Sequence, residues 1–258
     1  MDHTLPIRTA TELDSMRAAG RVVAEVLAAV RAAAVPGVKL RELDDLARTV
    51  IDDAGATPSF LGYAPSPGTR PYDGVLCLSP NEVVVHGRPS GRRLHEGDLL
   101  TVDGGAIVDG WHGDSAITVH IGPPAAEEEA LRLATEEALA AGIGAAVPGA
   151  TLRDVAVAID AVARKHGYEQ LADHGGHGIG QRMHEPPFIA NQPTDDAARY
   201  RLRAGNTIAI EPMLVLGAGR YKRKRDGWAV LTADGSRAAH AEHTVLVAAG
   251  GGEILTRA

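Results

Sequence analysis

A-A-V-P-G-V-K-L-R-E-L, Ala33 to Leu43, returns as A-A-V-P-G-A-T-L-R-D-V, Ala145 to Val155, at an offset of 112 residues. Proline and glycine between helices form a common turn, so the short motif carries little weight alone. Its surroundings carry more. Ahead of the first copy, Leu13, Met16, Val23, Val26, Leu27 and Val30 fall on one helical face behind a Thr11/Asp14 capping pair. Behind it a second helix runs to about Gly55. The second copy is framed in the same way, by helical stretches over Glu127 to Ala141 and Thr151 to His166. After each helix pair the texture changes to short β-branched runs with turn residues, over Gly74 to Ile121 and Thr207 to Val247. The pattern predicts an α+β fold made by internal duplication, with pseudo-repeats over about 12–121 and 126–248 and a site between them. The joining Gly122-Pro123-Pro124 is too short for a linker, so residues 1–258 are read as a single domain.

Composition narrows the setting. A chain of 258 residues with 45% hydrophobic content can bury a large core. Cys77 is the sole cysteine, which excludes an intrachain disulfide and favours a reducing compartment, the cytoplasm by default. The stretch from Met1 to Ala10 lacks the layout of a signal peptide. The longest apolar run, Val22 to Val35, is broken by Glu25 and Arg31, so no membrane span is expected. A net charge of -7 argues against DNA or other nucleic acid as the main ligand.

The carboxylates bring chemistry into view. L-L-T-V-D-G-G-A-I-V-D-G-W-H-G-D-S-A-I-T-V, Leu99 to Val119, reads as a hairpin turning at Asp109-Gly110. If Val108 faces Trp111, then Asp103 faces Ala116, and Asp114 points to the same face two residues along. Diagonal neighbours of this kind lie roughly 7–8 Å apart at the backbone. Two like charges among apolar residues are costly without a cation or a shared proton. The hairpin alone leaves open whether one aspartate instead caps the turn or is exposed through a bulge. Glu211 in T-I-A-I-E-P-M-L and Glu242 in H-A-E-H-T-V-L-V add two acids inside otherwise apolar strands. The segment D-H-G-G-H-G-I-G-Q-R-M-H-E-P-P, Asp173 to Pro187, adds His177, whose flanking glycines are expected to leave the main chain open to a bulky ligand. Four carboxylates balance the charge of two divalent cations better than that of one. An oxygen-rich set with imidazole and no thiolate suits catalytic Mn²⁺, Fe²⁺, Co²⁺ or Zn²⁺. Rival motifs fail: position 188 is Phe188 where a zinc-protease helix needs a second histidine, and G-D-S-A-I lacks the last glycine of a nucleophile elbow.

The chain resembles the type I methionine aminopeptidases, of the pita-bread fold. The resemblance rests on N-E-V-V-V-H-G (Asn81 to Gly87), D-G-W-H-G-D in the hairpin, G-H-G-I-G with H-E-x-P, I-E-P-M (Ile210 to Met213), D-G-W (Asp226 to Trp228) and E-H-T (Glu242 to Thr244), in that order over nearly the whole length. It implies two divalent metal ions held by Asp103, Asp114, His177, Glu211 and Glu242. It implies His86 and His184 on the substrate side, with His184 donating to the developing oxyanion, His86 near the scissile nitrogen, and Glu211 also handling the proton of the attacking water. Phe60, Tyr63, Cys77, Met183 and Trp228 match the methionine pocket. Three departures bear on pocket shape, entrance and second-residue preference: Met183 where phenylalanine is usual, a longer Tyr63 to Cys77 connection without a Tyr-His-Gly core, and His240-Ala241 in place of glutamine and a bulky residue.

The implied function is removal of N-terminal methionine from newly made proteins when the second residue is small, by a monomeric cytoplasmic enzyme. A proline-directed aminopeptidase of the same fold is the enzymatic alternative; those usually carry an additional N-terminal domain. A non-catalytic peptide-binding or ribosome-associated homologue is the other, and the complete ligand set argues against it. No Pro-rich or zinc-finger arm precedes the catalytic region, so docking on the ribosome through such an arm is not expected. The basic run Arg220 to Arg225 reads as a solvated hairpin loop or as a transient, salt-sensitive contact with ribosomal RNA.

Overall fold

Helix α1 (Ala10–Ala33) starts two residues earlier than the Thr11/Asp14 pair predicts. Thr9, not Thr11, is the cap: its N–H donates to the Glu12 carboxylate at 2.7 Å and the Glu12 N–H returns to the Thr9 hydroxyl at 3.4 Å. The two bonds close a reciprocal capping box at Thr9, which sets the start of the helix there. Met16, Val23, Val26, Leu27 and Val30 are buried as their spacing requires, with Leu13 half-buried. The computed structural model describes residues 4–66 and 68–257, so the first three residues of the stretch weighed against a signal peptide lie outside the described residues.

Helix α2 (Leu40–Asp53) follows, and then five strands, β1 (Thr57–Pro58), β2 (Leu76–Pro80), β3 (Val83–Val85), β4 (Leu99–Val108) and β5 (Trp111–His120). Helices α3 (Ala126–Ala145) and α4 (Leu152–His166) come next. After them run β6 (Glu169–Gln170), β7 (Gly175–Gly178), β8 (Glu185–Ala190), β9 (Thr207–Ile210), β10 (Met213–Val215), β11 (Tyr221–Arg223), β12 (Val230–Thr232), β13 (Ala238–His240), β14 (Glu242–Ala248) and β15 (Gly251–Ile254). Among the described residues the main sheet has nine strands. Their order is β1-β4-β5-β14-β9-β7-β8, with β2 on β4 and β15 on β14. Two three-stranded sheets, β13-β10-β6 and β11-β12-β3, complete the β structure. Every strand pairing is antiparallel. No helix among the described residues is long and apolar enough to cross a membrane.

The helices cover one side of this sheet. α1 lies so close to β5 that a Cβ on Gly113 would stand 2.8 Å from the Gly20 nitrogen, so the crossing needs a glycine there. Val23, Val26, Leu27, Leu43 and Ile51 form one core with Leu76, Leu100 and Val102. Leu139, Ile143, Leu152, Val155 and Ile159 of α3 and α4 form another with Ile208, Ile210 and Val245. Each such fully buried side chain contributes about 1.5–3 kcal/mol relative to exposure.

The β4–β5 hairpin has the register read from its turn: Val108 faces Trp111 and Asp103 faces Ala116. Asp109 and Gly110 have φ of 51° and 80°, the left-handed pair that matches the twist of the flanking strands. The glycines around His177 have a different purpose from the one expected. A Cβ on Gly176 would sit 2.0 Å from the Ala209 carbonyl oxygen, and one on Gly178 would sit 2.7 Å from that of Pro186. The bulky neighbours are the chain's own strands β8 and β9, which grip β7 from both sides. Gly176→Ala should therefore destabilise the fold by about 3 kcal/mol or more, since backbone cannot yield as a flexible side chain can. Chemical denaturation checks this, and a loss below about 1 kcal/mol would contradict the packing described.

Candidate active site

Four strands and one break deliver the acids and imidazole singled out in the sequence. Asp103 comes from β4, Asp114 from β5, His177 from β7 and Glu242 from β14. Glu211 is not inside a strand, as its apolar surroundings suggest, but in the gap between β9 and β10. Pro212 has no N–H to offer a ladder, so pairing stops there and the Glu211 side chain is turned out of the sheet. All five line one cavity of about 420 Å³.

Within it, ligand-type atoms of Asp114, His177 and Glu242 lie within 4.8 Å of one another, as do those of Glu211, His240 and Glu242. Glu242 belongs to both groups. The Nε2 of His177 is 3.9 Å from Asp114 Oδ2 and 3.7 Å from Glu211 Oε1. Its Nδ1–H donates to the Gly178 carbonyl at 2.9 Å, which leaves the Nε2 lone pair facing the acids. The backbone around the acids is clamped. The Asp114 N–H donates to the Thr244 hydroxyl at 2.9 Å and that hydroxyl donates to the Asp114 carbonyl, also at 2.9 Å. Ser115 Oγ donates to the Glu242 carbonyl at 2.6 Å, and Asn191 Nδ2 donates to that of Glu211 at 2.9 Å.

The carboxylates themselves are left short of partners. Asp103 Oδ1, Asp114 Oδ1 and Glu242 Oε1 are buried with no hydrogen bond. Burial pushes the Asp103 carboxyl up to about 7. Burial and then the neighbouring acids push Asp114, Glu211 and Glu242 well above the usual range. Burial pulls His177 down to about 3, so its imidazole is neutral. Crowded, orphaned acids around neutral imidazoles are the donor set that a divalent cation satisfies.

Against this cluster stands an apolar wall. Phe60, Cys77, Met183 and Trp228, with Tyr63 packed against them, form one hydrophobic group, as the sequence predicts. Cys77 faces Asp103 directly across β2 and β4, so the wall and the acids share a border. Burial, reinforced by Asp103, raises the Cys77 thiol and keeps it protonated. Tyr72 belongs to the same group and escapes the sequence reading. Its ring meets Trp228 edge-on at 5.1 Å and Phe60 at 6.4 Å. Its hydroxyl donates into the pair of carbonyls of Leu76 at 3.0 Å and Gly87 at 2.9 Å. The signal was an aromatic residue in the proline-rich Tyr63 to Cys77 connection. The Trp228 indole N–H ties that connection down further, donating to the Arg70 carbonyl at 3.0 Å.

Both remaining histidines also reach the cavity. His86 follows β3 with φ of 59°, a left-handed conformation that directs its ring edge-on to Trp228 at 6.4 Å. His184 lies on an exposed loop with its ring 4.3 Å from that of His177, and its Nδ1 is 2.8 Å from the Tyr63 hydroxyl. The loop is anchored from below. Arg8 meets Glu185 in an ion pair at 2.5 Å whose side chains are only 9% and 10% exposed, and it also donates to the Ile179 carbonyl at 3.1 Å. A second residue the sequence reading did not place in the site is His240, buried against the acids. Its spacing of two from Glu242 along consecutive strand-like residues was the available signal.

The model of metallopeptidase family M24 matches residues 14–249. Methionine aminopeptidase 1 of Mycobacterium tuberculosis (strain CDC 1551 / Oshkosh) is 49% identical over 98% of this chain and 95% of its own length. The crystal structure of a methionine aminopeptidase from Thermotoga maritima superposes with a TM-score of 0.93 at 38% identity, over 98% of this chain and 100% of that one. A prolidase from Pyrococcus furiosus shares the fold, with a TM-score of 0.77 at 23% identity over 98% of this chain and 65% of that one. These likenesses identify the architecture as the pita-bread fold.

The electrostatics of the metal-stripped protein can be checked directly. A carboxyl whose folded pKa is raised favours the folded state below its unfolded value, and that contribution is lost as pH rises through the folded value. The depressed histidines act in the opposite sense, but only below their unfolded value of about 6.5. From pH 6.5 to 8.5 the carboxylates are therefore left unopposed, and stability in EDTA should fall by on the order of 1 kcal/mol per pH unit. Thermal melts across that range test this. A flat or rising midpoint would contradict the crowding, and added divalent metal should abolish the fall.

Proposed function

From the premise that this chain belongs to metallopeptidase family M24, we infer that it is a methionyl aminopeptidase, a metal-dependent hydrolase that removes N-terminal methionine when the second residue is small. The observation that carries the substrate is the wall of Phe60, Tyr63, Tyr72, Cys77, Met183 and Trp228 opening onto the acids in one cavity. A flexible, polarisable thioether fits a sulfur-and-aromatic wall, whereas a charged side chain would be desolvated there without a partner. We read the chain as a single catalytic domain built from two related parts, with nascent polypeptide N-termini as its substrates. The prolidase from Pyrococcus furiosus shares the fold at 23% identity, a likeness of architecture that carries no proline preference over to this chain.

In this reading Asp103, Asp114, His177, Glu211 and Glu242 hold two divalent ions. When bound, the ions supply a nucleophile at neutral pH and electrophilic assistance to the carbonyl. Charge favours two, since four clustered carboxylates, three of them buried and Glu211 half-buried, need that much compensation. The orphaned oxygens of Asp103, Asp114 and Glu242 and the free Nε2 of His177 support their assignment as ligands. Glu211, freed from the sheet by Pro212, also accepts the proton of the attacking water. Tyr63, whose hydroxyl burial holds protonated, donates to Nδ1 of His184. That leaves His184 Nε2–H to donate to the substrate carbonyl oxygen as negative charge develops. His86, on the Trp228 side of the cavity, contacts the scissile nitrogen and positions the leaving amine. The five basic residues from Arg220 to Arg225 are all exposed and Arg223 lines the cavity, which suits a solvated hairpin or a transient contact with ribosomal RNA.

The test is release of methionine from Met-Ala-Ser by the metal-reconstituted protein, with Xaa-Pro peptides in parallel. No release with any divalent metal would sink the reading, and cleavage of Xaa-Pro alone would redirect it to the proline-directed class. Asp103→Ala should lose both activity and metal. His184→Ala should keep metal and slow turnover by about 10²–10³-fold.

A further inference from the structure

His240 is 1% exposed, and neither of its ring nitrogens has a hydrogen-bond partner. A buried imidazole with both nitrogens orphaned is a costly arrangement that calls for a reason. Its Nε2 stands 3.7 Å from Glu211 Oε2 and 3.7 Å from Glu242 Oε2. Both separations are too long for hydrogen bonds. They suit three donors arranged around a shared cation, for which bonds of about 2.0–2.2 Å are usual. The ring is also held in place. The His240 N–H donates to the Thr118 hydroxyl at 3.0 Å, and that hydroxyl donates to the His240 carbonyl at 2.7 Å. Thr101 supports Thr118 at 2.8 Å, and across β10 the residue faces Met213. The backbone is thus clamped while the ring is given no partner except the two acids.

We propose that His240 is a further metal ligand, its Nε2 supplying an imidazole to the ion held between Glu211 and Glu242. The inference rests on the two-ion reading of the site and adds to it. His177 and His240 both stand 3.7 Å from a Glu211 oxygen, and Glu242 is shared by both clusters, so His240 adds a second imidazole beside Glu211. The two-ion centre then has two nitrogen donors. Imidazole favours Zn²⁺, Co²⁺ and Fe²⁺ over Mn²⁺ and Mg²⁺, so the position beside His240 is selective for the former.

The experiment uses the full chain, stripped with EDTA and titrated calorimetrically with Co²⁺, Zn²⁺ and Mn²⁺. Wild type is compared with His240→Gln and with His240→Phe, which keeps a flat ring but offers no donor. X-ray absorption of the Zn²⁺-loaded proteins counts imidazoles. Affinity at one of the two positions should fall about 10–100-fold for Zn²⁺ and Co²⁺ in both variants, and much less for Mn²⁺. The mean imidazole count per ion should fall by half. Folding is followed by the thermal midpoint of the metal-free proteins, and a variant that misfolds leaves the other to decide. Unchanged affinities and an unchanged imidazole count in a folded variant would overturn the proposal while leaving the methionyl aminopeptidase reading intact. A wild type that binds no divalent ion would overturn both.

Discussion

Four carboxylates crowded onto one cavity, three of them buried, are the constraint on which the rest of this structure depends. Each comes from a separate place in the chain, and three keep an oxygen with no partner. Left alone they repel one another, and the molecule tolerates them by placing protons or cations among them. Around this expense the scaffold is rigid. Antiparallel strands fix the direction of Asp103, Asp114 and Glu242, and side-chain clamps from Ser115 and Thr244 lock the backbone behind them. Pre-organisation of this kind means that the repulsion cannot be relieved by movement. A cation among them relieves it, so the crowding of the cluster favours metal binding.

What the sequence discloses, and what it hides, follows from the range of the interactions involved. The β4–β5 register was legible because an Asp-Gly turn is a local device, and a period of two then carries Asp103 and Asp114 to one face. The carboxylates were legible because an acid in an apolar strand is anomalous wherever it falls. The cap of α1 falls two residues before the expected one because Thr9 and Thr11 offer competing boxes, and local sequence does not rank them; the box that forms is the one closed by Glu12. The glycines around His177 were misread for a deeper reason. Glycine announces that something approaches the backbone, yet it does not say whether that is a ligand or another strand. Here it is Ala209 and Pro186. Tyr72 was missed because its partners, Leu76, Gly87 and Trp228, come together only in the folded connection.

The substrate side shows how an exposed segment is given a fixed position. His184 stands on an exposed loop, where precise placement is hard to maintain. Three contacts hold it: the ring of His177 behind it, the Tyr63 hydroxyl beside it, and Glu185 anchored to a nearly buried Arg8. Tyr63 also belongs to the apolar wall. The residue beside His184 Nδ1 is therefore also part of the wall that the proposed function gives to a methionine side chain. In that proposal, recognition of the side chain and orientation of His184 are linked through one phenol.

The same economy bears on His240. A histidine in this position has two ways to avoid an unpaired buried ring: a hydrogen bond to a neighbour, or a bond to metal. The fold withholds the first. Thr118, the nearest hydroxyl clamp, spends both of its roles on the His240 backbone, accepting from the N–H and donating to the carbonyl. The carboxylates at 3.7 Å stand beyond hydrogen-bonding reach. What remains is the space between them, where the Glu211 and Glu242 oxygens already need a positive charge. A ring denied other partners and aimed at that space lowers the cost of its own burial by the same cation that lowers theirs.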